Sequence, residues 1–526
     1  MTGLGSRRSG HHRWMVLAVL CVSLLVVSLD NTILNVALPV LVARLHASSS
    51  ELQWIVDSYA VVFAGLMLVA GSLGDRVGRK PVFVAGLLLF AAGSAWSAFS
   101  SSPGMLIAAR ASMGIGASST MPSTLSILTN VFTGERDRAR AIGIWAGATG
   151  LGVAIGPVAG GWLLDRFWWG SVFLVNVPIA ITGAVLALWL VPDSRNPASR
   201  SPDLVGSVMS MVGIGSLLWG IIDAPSRGWT SPTVLAAMIG GTAVCGLFVV
   251  WEHRSSHPML NIGFFASARF SAAVATLGLV MFALMGGLFL MTQYLQFSLG
   301  YTPLEAGLRI VPIAGVLLVT APLSNLAATR LGTKPVVIVG LGLIIAGLAA
   351  LARLTVHGTY QDALPAFFLM GAGVGLAFAP CTESVMGSLP VSQAGVGSAT
   401  NGASLQTGGA LGVAVMGSIL DGRYQGFLGP RLTSYPVPAP VVGTIKSSLG
   451  AALAVADHVG GAAGAALATT ARQAFMSGLG PALTAGASVV AAAAVVVAAA
   501  LPNRGTTAPP EPDREPAGHH SELTGS

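Results

Sequence analysis

Four ionisable residues, Asp30, Asp57, Arg110 and Glu383, stand inside long apolar runs. A charge in hydrocarbon is costly, so such side chains face a protein interior or a watered path and mark an ion or substrate route. An acid placed there can hold either a proton or a cationic ligand, because desolvation opposes the carboxylate and a bound cation favours it. Asp30 is the leading candidate for that exchange; the competing reading is a structural carboxylate bonded to Thr or Asn. Asp57, nearer the end of its run, is expected to be wetter. Glu383, three residues after Pro380, is expected to face a central cavity. Arg110 is expected either to neutralise or relay beside an acid, or to pack through carbonyls.

Other residues could shape such a cavity. Asn31, Asn35, Gln293, Gln296, Asn401 and Gln406 are polar at membrane depth, and Gln293 and Asn401 are candidate substrate contacts. Trp54, Tyr59, Phe63, Trp145, Phe289, Tyr294 and Phe378 offer π faces that hold aromatic cations, although each alone is equally a packing residue. Cys21, Cys245 and Cys381 lie far apart in apolar stretches, which argues against disulfides or a metal site. There is no Gly-x-x-x-x-Gly-Lys-Ser/Thr loop, catalytic triad or metal-spaced cluster, so neither a cofactor nor an enzyme activity is expected.

The elements that carry these residues follow from composition. Of 526 residues, 53% are hydrophobic and 9% charged, against roughly 25% charged in soluble proteins. That excludes a soluble enzyme and a disordered scaffold. Runs of about 20 apolar residues recur, each long enough to cross a bilayer. They are expected at 15–38, 52–73, 81–100, 104–128, 140–163, 170–191, 204–222, 233–251, 270–292, 304–325, 334–354, 363–386, 396–420 and 480–501. This gives an all-α membrane protein of fourteen spans. Basic residues gather on one side (Arg7, Arg8, Arg13, Arg76, Arg79, Lys80, Arg136, Arg138 and Arg140 among them), while Arg44, Arg166, Arg227 and Arg353 fall on the other. Basic loops stay inside, so both termini are expected in the cytoplasm of a multi-pass cell-membrane protein. The net charge of +7 is dispersed among loops, which does not suit nucleic acid.

Residues 1–13 are expected as a cytoplasmic N-terminus, 14–191 as a first six-helix bundle and 192–269 as a linker with two extra helices. Residues 270–502 then form a second six-helix bundle, including a long outer loop at 421–479 with a helical hairpin at 445–475; 503–526 form a disordered tail. The two bundles echo each other: Gly114-Ile-Gly116 with Pro122 pairs with Gly373-Val-Gly375 and Pro380, and Leu151–Gly156 pairs with Leu411–Gly417. Matching features in two halves mark transporter repeats.

Several motifs narrow the reading. The loop Gly71-Ser-Leu-Gly74-Asp75-Arg76-Val-Gly78-Arg79-Lys80-Pro81 puts one acid among three cations, suited to an ion-pair latch. It resembles the cytoplasmic signature of the major facilitator superfamily. Leu29-Asp30-Asn31-Thr32-Ile33-Leu34-Asn35-Val36-Ala37-Leu38-Pro39 resembles the first-span signature of the fourteen-span drug:proton antiporters. Arg110 with Gly114, Gly116 and Ala117 resembles the superfamily's basic-residue motif, and Gly152, Gly156-Pro157 and Gly160-Gly161 resemble the antiporter motif. Read without the family, Gly152, Gly156 and Gly160 form one smooth helix stripe that lets another backbone approach, and Pro157 can bend the span.

The resemblance implies two six-helix bundles plus two inserted central helices, working by alternating access. Inward protons would drive outward movement of amphipathic, often cationic drugs or antibiotics. The bend and close contact at the antiporter motif would restrict leak. The expected partners are small amphipathic substrates, protons and the lipid bilayer, with one chain sufficing. A dedicated exporter of one secondary metabolite or peptide shares the machinery, while a membrane-embedded enzyme or passive channel fits less well. Two departures stand out. Arg330-Leu-Gly332-Thr-Lys334 lacks the acid of the first-half loop, and 396–420 lacks the late-span acids of the family's quaternary-ammonium exporters.

Overall fold

The computed structural model describes residues 3–195, 202–255, 258, 260, 262–388, 394–432 and 439–500. The first half comprises α1 (Gly3–Leu45), α2 (Ser49–Val77), α3 (Arg79–Ala98), α4 (Pro103–Val131), α5 (Glu135–Arg166), the short α6 (Ser171–Leu174) and α7 (Asn176–Leu190). Two helices follow, α8 (Leu204–Arg227) and α9 (Pro232–Arg254). The second half comprises α10 (Ala268–Gln293), α11 (Pro303–Leu331), α12 (Thr333–Leu351), α13 (Tyr360–Gly387), α14 (Ala394–Leu432) and α17 (Gly461–Ala500), with the small α15 (Ala439–Ser447) and α16 (Leu449–Val459) between the last two.

Each expected span falls on a helix. Thirteen are long and apolar enough to cross a membrane. The remaining long helix, α4, carries Arg110 and many Ser and Thr residues, and it packs between α2 and α3. It begins at a Ser102 cap, whose Oγ accepts from Met105 N at 3.3 Å, with Pro103 in the first turn. The expected loop at 421–479 is helical over most of its length: α14 continues to Leu432 and α17 starts at Gly461. Asp421 and Arg423, beyond the expected end at 420, are carried on helix. The N-terminal segment is helical from Gly3, and 503–526 lies outside the described residues.

The halves share one scaffold. α2 opens on a capping box in which Ser48 N donates to Glu51 at 2.8 Å, and α11 opens on the same device between Thr302 and Glu305 at 3.0 Å. Gly78 and Gly332 end these two helices at φ 134° and 92°, backbone angles that favour glycine. A Cβ at Gly116 would lie 2.5 Å from Phe90 N, and one at Gly373 would lie 2.5 Å from Gly340 O. Gly114 faces Tyr59 O just as Gly371 faces Ile313 O. The internal echo is therefore real, but its register differs from the sequence pairing: Gly114 and Gly116 correspond to Gly371 and Gly373. Glycine spacing alone could not fix which pair met which backbone.

The halves meet at the end that carries the α1–α2 turn. There Thr302 Oγ1 donates to Asp165 at 3.3 Å, Gln296 Nε2 donates to Val36 O at 2.9 Å, and Gly161 and Gly307 lie against Leu304 and Pro157. Along α5 and α11 the approach continues to Gly150 and Leu318. Beyond that level Ile142, Ile144, Leu323 and Leu326 are exposed. α2 and α14 run antiparallel across the halves, with Gln53 beside Gly417 and Met67 beside Gly402. α8 lies over this seam: Ser207 Oγ donates to Gly65 O at 2.5 Å, and Ser418 Oγ donates to Ile221 O at 2.7 Å.

Candidate functional site

The first half encloses a polar centre. Asp30 on α1 and Arg110 on α4 form an ion pair in which both side chains are almost wholly buried. The second Asp30 oxygen accepts from Asn176 Nδ2 on α7 at 3.0 Å. Asn176 also donates to Ser94 Oγ at 3.2 Å, and Ser94 donates to Phe173 O at 2.8 Å. Arg110 Nε reaches Ile55 O at 3.3 Å, and its guanidinium lies 4.3 Å from the Tyr59 ring centre. Tyr59 meets Phe63 edge-on at 5.6 Å. Two helices, α4 and α7, are thus tied directly to one carboxylate on α1, and through their partners α2, α3 and α6 join the same network. Removing one partner of such a pair costs about 3–5 kcal/mol, because the other charge stays buried.

Asp57 has the opposite character. It is 0% exposed, and neither oxygen has a hydrogen-bond partner. The expectation of a wetter residue is corrected: the packed helices close it off from solvent altogether. A carboxylate without partners in such a place is a standing electrostatic cost that a proton or a cation removes.

Glu383 is exposed on α13. The other candidates do not share one wall. Asn31 Nδ2 and Asn35 Nδ2 each donate to a carbonyl one turn back, at 3.1 Å, leaving Asn35 Oδ1 buried and unpaired. Gln293 Nε2 donates to Phe289 O at 3.1 Å. Tyr294 reaches Thr355 O at 3.3 Å, and Phe289 is core. Trp54 packs where α2, α8 and α14 converge. Trp145 donates to Thr124 at 3.1 Å, and Phe378 packs against the main core. Asn401 Oδ1 and Gln406 Nε2 are buried without partners on α14. A cavity of about 420 Å³ is lined by Pro39, Arg44, Gln296 and Tyr301, so that Gln296 is on its wall and the aromatic candidates are not.

The two motif regions are well defined. In the loop, Arg79 Nε donates to Asp75 at 2.8 Å, Arg79 Nη1 to Ser126 O at 3.0 Å and Lys80 to Leu188 O at 2.6 Å. The Asp75–Arg79 pair therefore lies within the first half, and Arg76 is exposed. Gly71 and Gly74 lie near Pro122 and Ser123. Along α5, Gly152 and Gly156 bring the backbone against Leu25 O and Leu29 O, at 2.9 and 3.1 Å for an added Cβ. Gly160 lies on Ile33, and Gly161 and Pro157 touch α11. The stripe serves close approach to α1, as its four-residue spacing indicated. Asn176 and Ser94 were missed; an Asn within the apolar run after Phe173 was the available signal.

In the second half the corresponding positions are apolar. The glycine register puts Phe367 where Arg110 stands, Ile313 where Tyr59 stands and Val311 where Asp57 stands.

A model of the Major Facilitator Superfamily matches residues 20–413. Among curated proteins, the multidrug efflux pump LfrA of Mycolicibacterium smegmatis is 35% identical, over 92% of this chain and 95% of that protein. The tetracenomycin C resistance and export protein of Streptomyces glaucescens is 31% identical over 90% and 89%. The methyl viologen resistance protein SmvA of Salmonella typhimurium is 31% identical over 91% and 96%. Among solved structures, an inward-facing, unoccupied bacterial homologue of the lysosomal transporter Spinster aligns with a TM-score of 0.67 at 18% identity, covering 94% of this chain and 99% of that one. Helical halves of one scaffold, packed around a buried ion pair, define a multi-pass membrane transporter. The chain belongs to the Major Facilitator Superfamily.

Proposed function

We propose that this protein is a proton-driven exporter of amphipathic, cationic compounds in the cell membrane, working by alternating access. The basic end, with both termini, faces the cytoplasm, and the α1–α2 turn faces out. The observation that carries the reading is the contrast between two first-half acids: Asp30 engaged on both oxygens, and Asp57 buried with none. Asp57 takes the proton in the arrangement seen here. Asp30 and Arg110 form the polar centre that cargo and the other arrangement disturb, and Tyr59 and Phe63 beside it supply π faces for a cation. Glu383, Gln293 and Asn401 remain candidate contacts for the opened cavity. Proton and cargo need only oppose each other's binding, and such coupling is reciprocal.

Efflux of a cationic dye from inverted vesicles under an imposed pH gradient tests this. Asp57→Asn abolishes gradient-driven movement while the protein still inserts; undiminished driven efflux in that variant removes Asp57 from the scheme. The similarity to a tetracenomycin export protein supports a second reading, a dedicated exporter of one metabolite. Competition among unrelated dyes and antibiotics separates the two.

A further inference from the structure

The seam between α2 and α14 carries a second acid that the polar centre does not use. Asp421 is 4% exposed. One of its oxygens accepts from Gln425 Nε2 at 2.9 Å, and the other is buried without a partner. Across the seam, the Ser49 side chain at the start of α2 stands beside it, close enough for its hydroxyl to turn toward the carboxylate. One turn deeper, the Gln53 amide lies on the backbone of Gly417, where an added Cβ would meet it at 2.7 Å. Gln53 Oε1 takes a long contact of 3.5 Å from Ser418 Oγ, and its Nε2 has no partner. Asp57 follows one turn further along α2. At 1.5 Å per residue, the levels of Ser49 and Asp57 are about 12 Å apart along the helix. A strip of incompletely satisfied polar groups therefore runs from the α1–α2 end of the seam down to Asp57.

Cations are not placed to neutralise this strip. Among the described residues the ion pairs are Asp75–Arg79, Asp30–Arg110 and Asp223–Arg227, and none includes Asp421. On α14 itself, Arg423 is exposed and Tyr424 donates to Ile445 O and Ser448 O. On α2, Glu51 is held in the capping box at Ser48. On α8, Asp223 and Arg227 hold each other at 2.7 Å. On α17, Arg472 donates to Phe297 O at 3.1 Å. On α15, Lys446 lies near Gly429, two turns further along α14.

We propose that Asp421 is a second proton-binding site, set in the seam between the halves, and that protonating it together with Asp57 favours the closed seam. The proposal rests on the coupling role given to Asp57. A carboxylate closed into this seam is almost out of water and holds one full hydrogen bond, from Gln425, with no cation paired to it, whereas the neutral acid carries no such cost. The closed arrangement therefore binds the proton more strongly than the separated, wetted one, and by linkage lower pH draws the seam shut. Protons arriving from the α1–α2 side would close that end and turn the chain toward the other.

The test is a distance across the seam in the full chain in nanodiscs. Spin labels go on Ser50→Cys and Gly426→Cys in a background lacking Cys21, Cys245 and Cys381, and the pH is varied. The seam is expected to close as pH falls, and Asp421→Asn is expected to cut the pH-dependent change at least five-fold. Asp421→Glu keeps an acid on a longer arm and is expected to retain a response with a moved midpoint. Asp421→Asn following the unsubstituted pH curve, or Asp421→Glu with an unmoved midpoint, overturns the proposal. The two readings separate on Asp57→Asn. If that variant loses driven efflux while Asp421→Asn leaves the seam response intact, only the Asp421 site fails. If Asp57→Asn keeps driven efflux while Asp421→Asn flattens the seam response, the Asp421 site stands and the coupling role of Asp57 fails.

Discussion

The two halves use the same helices, caps and glycine approaches, yet they bury different chemistry. In the first, Arg110 is drawn onto Asp30, Asn176 and Tyr59. In the second, the position of Arg110 is taken by Phe367, fully buried among apolar side chains. α1 runs as an unbroken helix through Asp30, while α10 ends in a π-helical turn at Tyr294–Ser298, a feature that often accompanies functional sites. The buried ion pair is thus confined to the first half, and the second half sets apolar side chains at the matching positions.

Breaking the ion pair should expose that difference most strongly. Arg110→Ala leaves a buried carboxylate with one partner fewer and is expected to cost about 3–5 kcal/mol, read as a lowered midpoint of thermal unfolding in detergent. At the matching place in the other half, Phe367→Leu should cost less than about 1.5 kcal/mol. Equal losses would mean that the polar centre is no more than packing. The shared scaffold is probed by Gly116→Ala and Gly373→Ala. Each puts a Cβ 2.5 Å from a facing backbone atom, so both should destabilise by about 1–3 kcal/mol and to a similar degree. A clear inequality would show that the repeat is not equally tight on both sides.

Smaller effects sharpen the contrast. Asp57→Asn is expected to change unfolding stability by less than about 1 kcal/mol, since the carboxyl gives up no hydrogen bond. Its effect should appear in driven transport. Asp75→Asn removes a partly exposed pair and should alter stability by about 0.5 kcal/mol or less. Thr329 occupies the matching place in the second half, so Thr329→Asp should change stability just as little. A larger change in transport than in stability for Asp75→Asn would assign the loop a role in movement.

Much of this architecture was legible in the sequence because lipid leaves few choices: apolar runs of sufficient length become helices, and each expected span has one. The acid-free second loop was also visible, as Arg330-Leu-Gly332-Thr-Lys334. Side-chain partnership was not. Nothing in the spacing of Asp30 and Asp57 says that one is held on both oxygens and the other on neither, because the partners come from α4 and α7, far along the chain. Asp421 was hidden for a different reason. An Asp and an Arg after a Gly-rich run look like the start of a loop, whereas α14 continues through both, burying Asp421 in a packed seam and leaving Arg423 exposed. The aromatic residues were identified by type, but type does not fix direction, and they distribute among separate packing sites.

Proton release on cargo binding tests the central claim most directly. Purified protein in weakly buffered detergent with a pH indicator is titrated with a cationic dye. Release of protons by the unsubstituted chain, lost in Asp57→Asn and kept in Asp223→Asn, is the result expected. Undiminished release from Asp57→Asn would contradict the assignment of coupling to the unpartnered acid of the first half.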